Sequence, residues 1–192
     1  MINYTKRLDK AIKVSAWAHE QEKQHRKGTD IPYIIHPFSA MMIASNITGD
    51  EDTLIGCLLH DILEDVDPKI YNVEDMREDF GQKVLEIVQG VSKDDSIEDW
   101  KQRSDSFLEN LTKARPESII VCAADKIHNL KSMLIDYENI QDKLWDKFSS
   151  DKKSQLWWYQ SSLEIIRDRT PENGLVVELQ DLVDQLRRII EH

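Results

Sequence analysis

Apolar residues recur at three- and four-residue spacing through most of this 192-residue chain, and no stretch sustains the alternation of a half-buried strand. That pattern predicts an all-α fold. The length fits the usual ~100–200 residues of one domain, so a single compact helical bundle over residues 1–192 is expected. With 40% hydrophobic residues the chain has the apolar surface needed to offset the entropy of ordering it. No run approaches the ~18–20 apolar residues that span a bilayer, and the charged stretch 1–9 lacks the apolar core of a signal peptide. A soluble, cytoplasmic protein is the expectation.

The periodicity divides the chain further. A first helix is predicted over 4–21, with Leu8, Ala11, Ile12, Ser15 and Ala18 inward, followed by a polar loop over 22–32. His36-Pro37 reads as a helix start, since proline is well tolerated in the first turn, and that helix runs to about Ile47 before Thr48-Gly49-Asp50 breaks it. Asp50 or Asp52 caps a central helix over 51–66, whose stripe is Leu54, Ile55, Leu58, Leu59, Ile62 and Leu63. Asn72 with Asp75 signals a short capped helix ending near Phe80-Gly81, and Val84, Leu85, Ile87 and Val88 mark another. The chain turns polar near 92–96, and further helices are predicted over 97–113, 116–134, 139–148, 153–169 and 175–190.

The charge balance, 25 Lys+Arg against 36 Asp+Glu, gives −11 and argues against nucleic-acid polymers or anionic membranes as partners. If the substrate is a phosphate ester, a bound divalent cation is the usual device for reversing the local field. Cys57 and Cys122 sit in apolar stretches without paired spacing and read as reduced core residues.

Four residues are out of place. His60 and Asp61 stand side by side in the most apolar predicted helix, with Glu64 and Asp65 one turn further on. His36 lies among Ile34, Ile35 and Pro37, and Asp125 interrupts the apolar run 119–124. Buried ionisable groups are costly unless paired or metal-bound. Two imidazoles and two carboxylates suit Mn, Fe, Co, Ni or Zn and leave coordination positions open for water and substrate. Asn129, four residues after Asp125, shares its helix face and can contact substrate or orient a ligand.

His36, then His60-Asp61, then Asp125 resemble the pattern of the HD-domain metal-dependent phosphohydrolase superfamily. Within it, His25-Arg26-Lys27-Gly28, Pro32-Tyr33-Ile34-Ile35-His36-Pro37, Leu58-Leu59-His60-Asp61-Ile62-Leu63-Glu64-Asp65 and Ala124-Asp125-Lys126-Ile127-His128-Asn129-Leu130 are similar to the hydrolase domain of RelA/SpoT proteins and the stand-alone small alarmone hydrolases. The motifs cover about 11–137, with C-terminal helices over 139–190. The resemblance implies an HD-type helical bundle holding a divalent metal, by family habit Mn2+, through His36, His60, Asp61 and Asp125. It implies Glu64 and Asp65 as the acid pair acting on water and leaving group, and Arg26, Lys27, Tyr33, Asn129, Ser132 and Arg103 as substrate contacts. The chain departs from the family pattern at Arg103-Ser104 and at Lys131-Ser132, which bears on guanine specificity.

The implied activity is removal of the 3′ pyrophosphate from guanosine tetraphosphate or pentaphosphate. Two alternatives stand beside it: hydrolysis of another nucleotide or a dinucleotide cofactor at the same centre, and a catalytically silent HD module that binds a nucleotide. Metal content and turnover of a nucleotide panel discriminate them. Assembly into a homo-oligomer is compatible with the sequence.

Overall fold

The computed structural model describes residues 2–191, and among these the fold is all-α. The helices are α1 (Lys6–Gln21), α2 (Ile35–Ala44), α3 (Glu51–Leu59), α4 (Ile62–Asp65), α5 (Val73–Phe80), α6 (Gln82–Gln89), α7 (Trp100–Lys113), α8 (Pro116–Ile140), α9 (Lys152–Arg169) and α10 (Gly174–Glu191). A 3₁₀ segment, Gln141–Lys147, joins α8 to α9.

Short polar side chains start most of these helices by accepting from otherwise orphaned amides. Thr5 accepts from Leu8, Asp50 from Thr53, Asp99 from Gln102 and Asp151 from Ser154. Asn72 and Asp75 form a reciprocal capping box at α5. Pro116 opens α8, where its missing N–H costs nothing.

Every residue of α3 from Thr53 to Leu59 is buried, as befits a helix wrapped on all sides. It packs on α1, α2, α6 and α8, and α8 in turn touches α2, α6, α9 and α10. At the α3–α6 crossing a Cβ on Gly56 would lie 2.6 Å from Ile87 Cγ2, so only glycine permits this approach. Cys57 and Cys122 are buried and unbridged.

The helix predicted over 51–66 is broken at His60 and Asp61. Side chains take up backbone groups at the break and just beyond it. His60 Nδ1 donates to the Cys57 carbonyl at 2.8 Å, the acceptor an uninterrupted helix would offer to the Asp61 amide. Gln24 Nε2 donates to the Asp65 carbonyl at 2.6 Å, and the Asp67 amide donates to Glu22 Oε1 at 2.9 Å.

Other boundaries move for local reasons. The helix predicted over 116–134 continues to Ile140, where Gln141 reverses the chain at φ 50° and its side-chain amide donates to the Tyr137 carbonyl. The predicted helix 139–148 is accordingly the 3₁₀ segment. The helix predicted from 97 begins at Trp100, because Arg103 Nη1 takes the Ile97 carbonyl and Asp99 supplies the cap. α2 starts one residue earlier than predicted and ends at Ala44, with Ile47 in a turn.

Candidate active site

Three elements meet around His60. The break after α3 carries His60 and Asp61, the first turn of α2 carries His36, and the middle of α8 carries Asp125. His36 and His60 are 1% and 3% exposed. One ligand atom each from His36, His60 and Asp125 lies within 4.8 Å of the others. Asp61 joins them, its Oδ2 3.1 Å from His60 Nε2 and 3.4 Å from His36 Nε2. Tyr33 Oη donates to that same Oδ2 at 2.7 Å.

The donor set fits a divalent cation. His60 Nδ1 is committed to the Cys57 carbonyl, so the other nitrogen is the one free to bind, and His60 Nε2 is buried without a hydrogen-bond partner. Second hydrogen bonds of this kind orient metal-binding histidines. Two imidazole nitrogens and two carboxylates are a mixed N/O set. Burial alone would depress His60, but Asp61 and Asp125 outweigh it and hold its pKa well above the ordinary histidine value. Burial likewise raises Asp61 and Asp125, yet Asp61 is held low chiefly by His60, and Asp125 by Lys126, His36 and His60. His36 is depressed, chiefly by burial. This concentration of negative charge around His60 Nε2 is what a cation satisfies.

The acid pair sits on α4, beyond the break that carries His60 and Asp61. Glu64 Oε1 accepts from the Lys93 amide at 2.8 Å, and its pKa is raised, first by burial. Asp65 keeps surface open to solvent, yet desolvation of its carboxyl and the charges of Asp61 and Glu64 push it up to about 7. Its backbone is clamped by Gln24, whose Oε1 faces His19 Nδ1.

A cleft of about 580 Å³ opens beside this cluster, reached past Tyr33, Lys93, His128 and Asn129. Arg26, Lys27 and Ser132 line it. The Arg26 guanidinium lies 5.8 Å over the Tyr33 ring, and Lys27 Nζ lies 4.7 Å over Phe148. Burial and the neighbouring Lys147 lower the Lys27 pKa. Asn129 is committed on both sides: its amide donates to Asp125 Oδ1, and its oxygen accepts from Arg26 Nη2 at 3.0 Å. It therefore links the cleft to the carboxylate cluster. Arg103 is not among the cleft-lining residues, and its guanidinium serves the Ile97 carbonyl.

Several participants went unnoticed in the sequence. Lys126 is 5% exposed, with its ammonium 2.7 Å from Asp125 Oδ2 and 4.8 Å over the Trp158 ring. Burial works against its charge, but Asp125 raises its pKa overall. The signal was present, since a lysine in the apolar run of α8 is as misplaced as Asp125 beside it. Lys93, Lys147 and Phe148 gave no such signal, because each lies in a polar segment.

The HD domain family model matches residues 11–147. The chain belongs to the HD domain family. As an HD domain it is related to those of SpoT and RelA-type proteins. It is 34% identical over 134 residues to the bifunctional (p)ppGpp synthase/hydrolase SpoT of Escherichia coli K12, covering 67% of this chain and 18% of that protein. It is 27% identical over 144 residues to the guanosine-3′,5′-bis(diphosphate) 3′-pyrophosphohydrolase of Aquifex aeolicus, covering 74% of this chain and 20% of that one. The chain thus spans about a fifth of the length of these curated relatives. Among solved structures, a metazoan ortholog of SpoT described as hydrolysing ppGpp superposes with TM-score 0.77 at 24% identity, covering 96% of this chain and 98% of that one. A Listeria monocytogenes EGD-e protein superposes with TM-score 0.69 at 21% identity, covering 79% and 97%. These likenesses show the HD fold. Among the described residues no helix is long and apolar enough to cross a membrane.

Proposed function

We propose that this chain is a metal-dependent pyrophosphohydrolase that removes the 3′ pyrophosphate of guanosine 3′,5′-bis(diphosphate). The observation that carries the reading is the junction of a bare, buried His60 Nε2, ringed by His36, Asp61 and Asp125, with a cleft lined by Arg26, Lys27, Lys93 and Lys147. A chain of net charge −11 gathers cations around one opening, which suits a polyphosphate. The printed functions of the SpoT-type relatives favour the alarmone over other nucleotides.

His36, His60, Asp61 and Asp125 would hold the cation, with Mn2+ the expected ion. Bound there, a divalent ion polarises phosphoryl oxygens and brings a water pKa toward neutrality. Tyr33 steadies Asp61, and Asn129 steadies Asp125. Glu64 and Asp65, both with raised pKa, act on protons: one takes a proton from the attacking water, and the pair returns one to the 3′ oxygen as it leaves. The water oxygen joins the inner phosphorus of the 3′ pyrophosphate while the bond to the ribose 3′ oxygen breaks, yielding GDP and intact pyrophosphate. Lys27 and Lys93 meet the charge that grows on the phosphoryl oxygens, and Arg26 offers a planar guanidinium for the base.

Phosphorus NMR of a nucleotide panel tests the reading. Guanosine tetraphosphate should give GDP and pyrophosphate. Release of orthophosphate, or faster turnover of another nucleotide or a dinucleotide cofactor, would overturn the substrate assignment. Glu64→Gln should keep its metal and lose ~10²–10⁴-fold in rate. Turnover within about threefold of the parent, far short of that loss, would remove Glu64 from catalysis.

A further inference from the structure

His128 follows Asp125 by three positions on α8, and its Nδ1 lies 2.7 Å from Nδ1 of His36, with the ring centroids 4.9 Å apart. Two nitrogens this close share one proton: two N–H groups would collide and two lone pairs would repel. The direction of that bond follows from the rest of His36. Its Nε2 is the nitrogen in the cluster, 3.2 Å from Asp125 Oδ1 and 3.4 Å from Asp61 Oδ2, so its lone pair must be available there for a cation. The proton of neutral His36 then sits on Nδ1 and is donated to His128 Nδ1.

The consequence falls on the far side of the second ring. With Nδ1 accepting, the proton of neutral His128 sits on Nε2. That nitrogen has no protein partner among the described residues, is not enclosed, and belongs to a side chain lining the cleft. His128 and Asn129 thus play parallel parts on one helix face. Asn129 holds Asp125 and receives Arg26, while His128 holds His36 and faces the open cleft.

We propose that His128 is a positioning residue that locks His36 in the metal-binding tautomer and, by doing so, presents an Nε2–H donor to an anionic oxygen in the cleft. The identity of that anion rests on the function proposed above; the tautomer does not. Metal binding and recognition of the anion are thereby joined through two imidazoles.

Two amide substitutions separate the two sides of the ring. His128→Asn keeps an acceptor near the Nδ1 position and loses the cleft donor. His128→Gln keeps a donor near Nε2 and loses the acceptor for His36. Zn2+ affinity, measured by competition with a chromophoric chelator, should weaken ~10–100-fold in His128→Gln and in His128→Phe, and much less in His128→Asn. With guanosine tetraphosphate and saturating metal, His128→Asn should raise KM ~10-fold, the value of one hydrogen bond to a charged group. Nitrogen-15 NMR of the histidine-labelled, Zn2+-loaded parent should report His36 protonated on Nδ1 and His128 on Nε2. A His128 proton on Nδ1, or equal loss of Zn2+ affinity in the Asn and Gln variants, would overturn the proposal. Failure of the parent to turn over guanosine tetraphosphate would strike the proposed function alone, because the tautomer and the Zn2+ affinities need no substrate.

Discussion

Lys126→Met removes a buried charge and keeps most of the volume of the stem. In the parent the ammonium is 2.7 Å from Asp125 Oδ2, and it lies 4.8 Å over Trp158 and 5.3 Å over Phe107. Breaking a buried pair by deleting one partner costs ~3–5 kcal/mol, because the remaining charge is left uncompensated. Two features trim the loss: Asn129 still donates to Asp125, and a thioether packs well on the aromatic pair, worth ~0.3–1.5 kcal/mol. A loss of ~3 kcal/mol in chelator follows, or ~6–12 °C in Tm at ~2–4 °C per kcal/mol for a chain this size. The pH window has two edges. Asp125 is depressed in the fold, so its contribution is present above the ordinary aspartate pKa and disappears as pH falls through the folded value; Lys126 is raised, so its contribution is present below the ordinary lysine pKa and is lost as pH rises through its own. Between ~5 and ~9 the gap should hold steady. Mn2+ narrows it, since ammonium and cation compete for one carboxylate. A ~10-fold gain in metal affinity returns ~1.4 kcal/mol at fixed excess metal. Urea unfolding in chelator and in excess Mn2+ measures both gaps. A gap under ~1 kcal/mol in chelator, the value of an exposed pair, or the same gap in both buffers, would refute the reasoning.

Chelation of the parent should lower Tm by ~5–11 °C relative to metal at ~100 times Kd, a linkage of ~2.7 kcal/mol, and His60→Ala should abolish the response. Calorimetric scans with metal add-back check this. Glu64 has a raised pKa in the fold, so in chelator stability should fall as pH rises from the ordinary glutamate value through the folded one, and Glu64→Gln should flatten that slope. Gly56→Ala puts a methyl 2.6 Å from Ile87 Cγ2 and should cost ~1–3 kcal/mol, and the double variant carrying Ile87→Ala, which removes Cγ2, should lose less than the sum of the two single changes; an additive double variant would contradict the contact.

Much of the fold was legible because helical spacing and caps are local signals. Asp50 and Asn72 begin helices by bonding amides two or three residues away, and the stripes on α3 and α6 are unbroken. The four cluster residues were legible for a related reason: His36, His60 and Asp125 are buried polar groups in apolar runs, and Asp61 stands beside one of them. Lys93 and Lys147 were not legible, because a lysine in a polar turn looks the same whether it faces bulk water or a cleft. Arg103 shows the converse. It occupies a position the family resemblance marks for phosphate, but its guanidinium donates to the Ile97 carbonyl.

The break at His60 and Asp61 was hidden for a different reason, and it organises the site. Residues 58–63 keep perfect helical spacing, so the apolar pattern does not announce an interruption; His60 takes the Cys57 carbonyl, and the bonds that hold Asp61 and Asp65 beyond it come from Tyr33 and Gln24, dozens of positions away. In a continuous helix His60 and Glu64 would share one face, and Asp61 and Asp65 another. The break frees these pairs from each other. Asp61 turns to Tyr33 and the two histidines, while Glu64 turns to the Lys93 amide. The groups suited to holding a cation and those suited to moving protons are thus fastened to different parts of the bundle, α2 and α8 for the first and the loops at 22–24 and 92–93 for the second. Substitutions in those loops should therefore alter rate and its pH dependence while leaving metal affinity in place, whereas substitution of Asp125 on α8 should lower metal affinity.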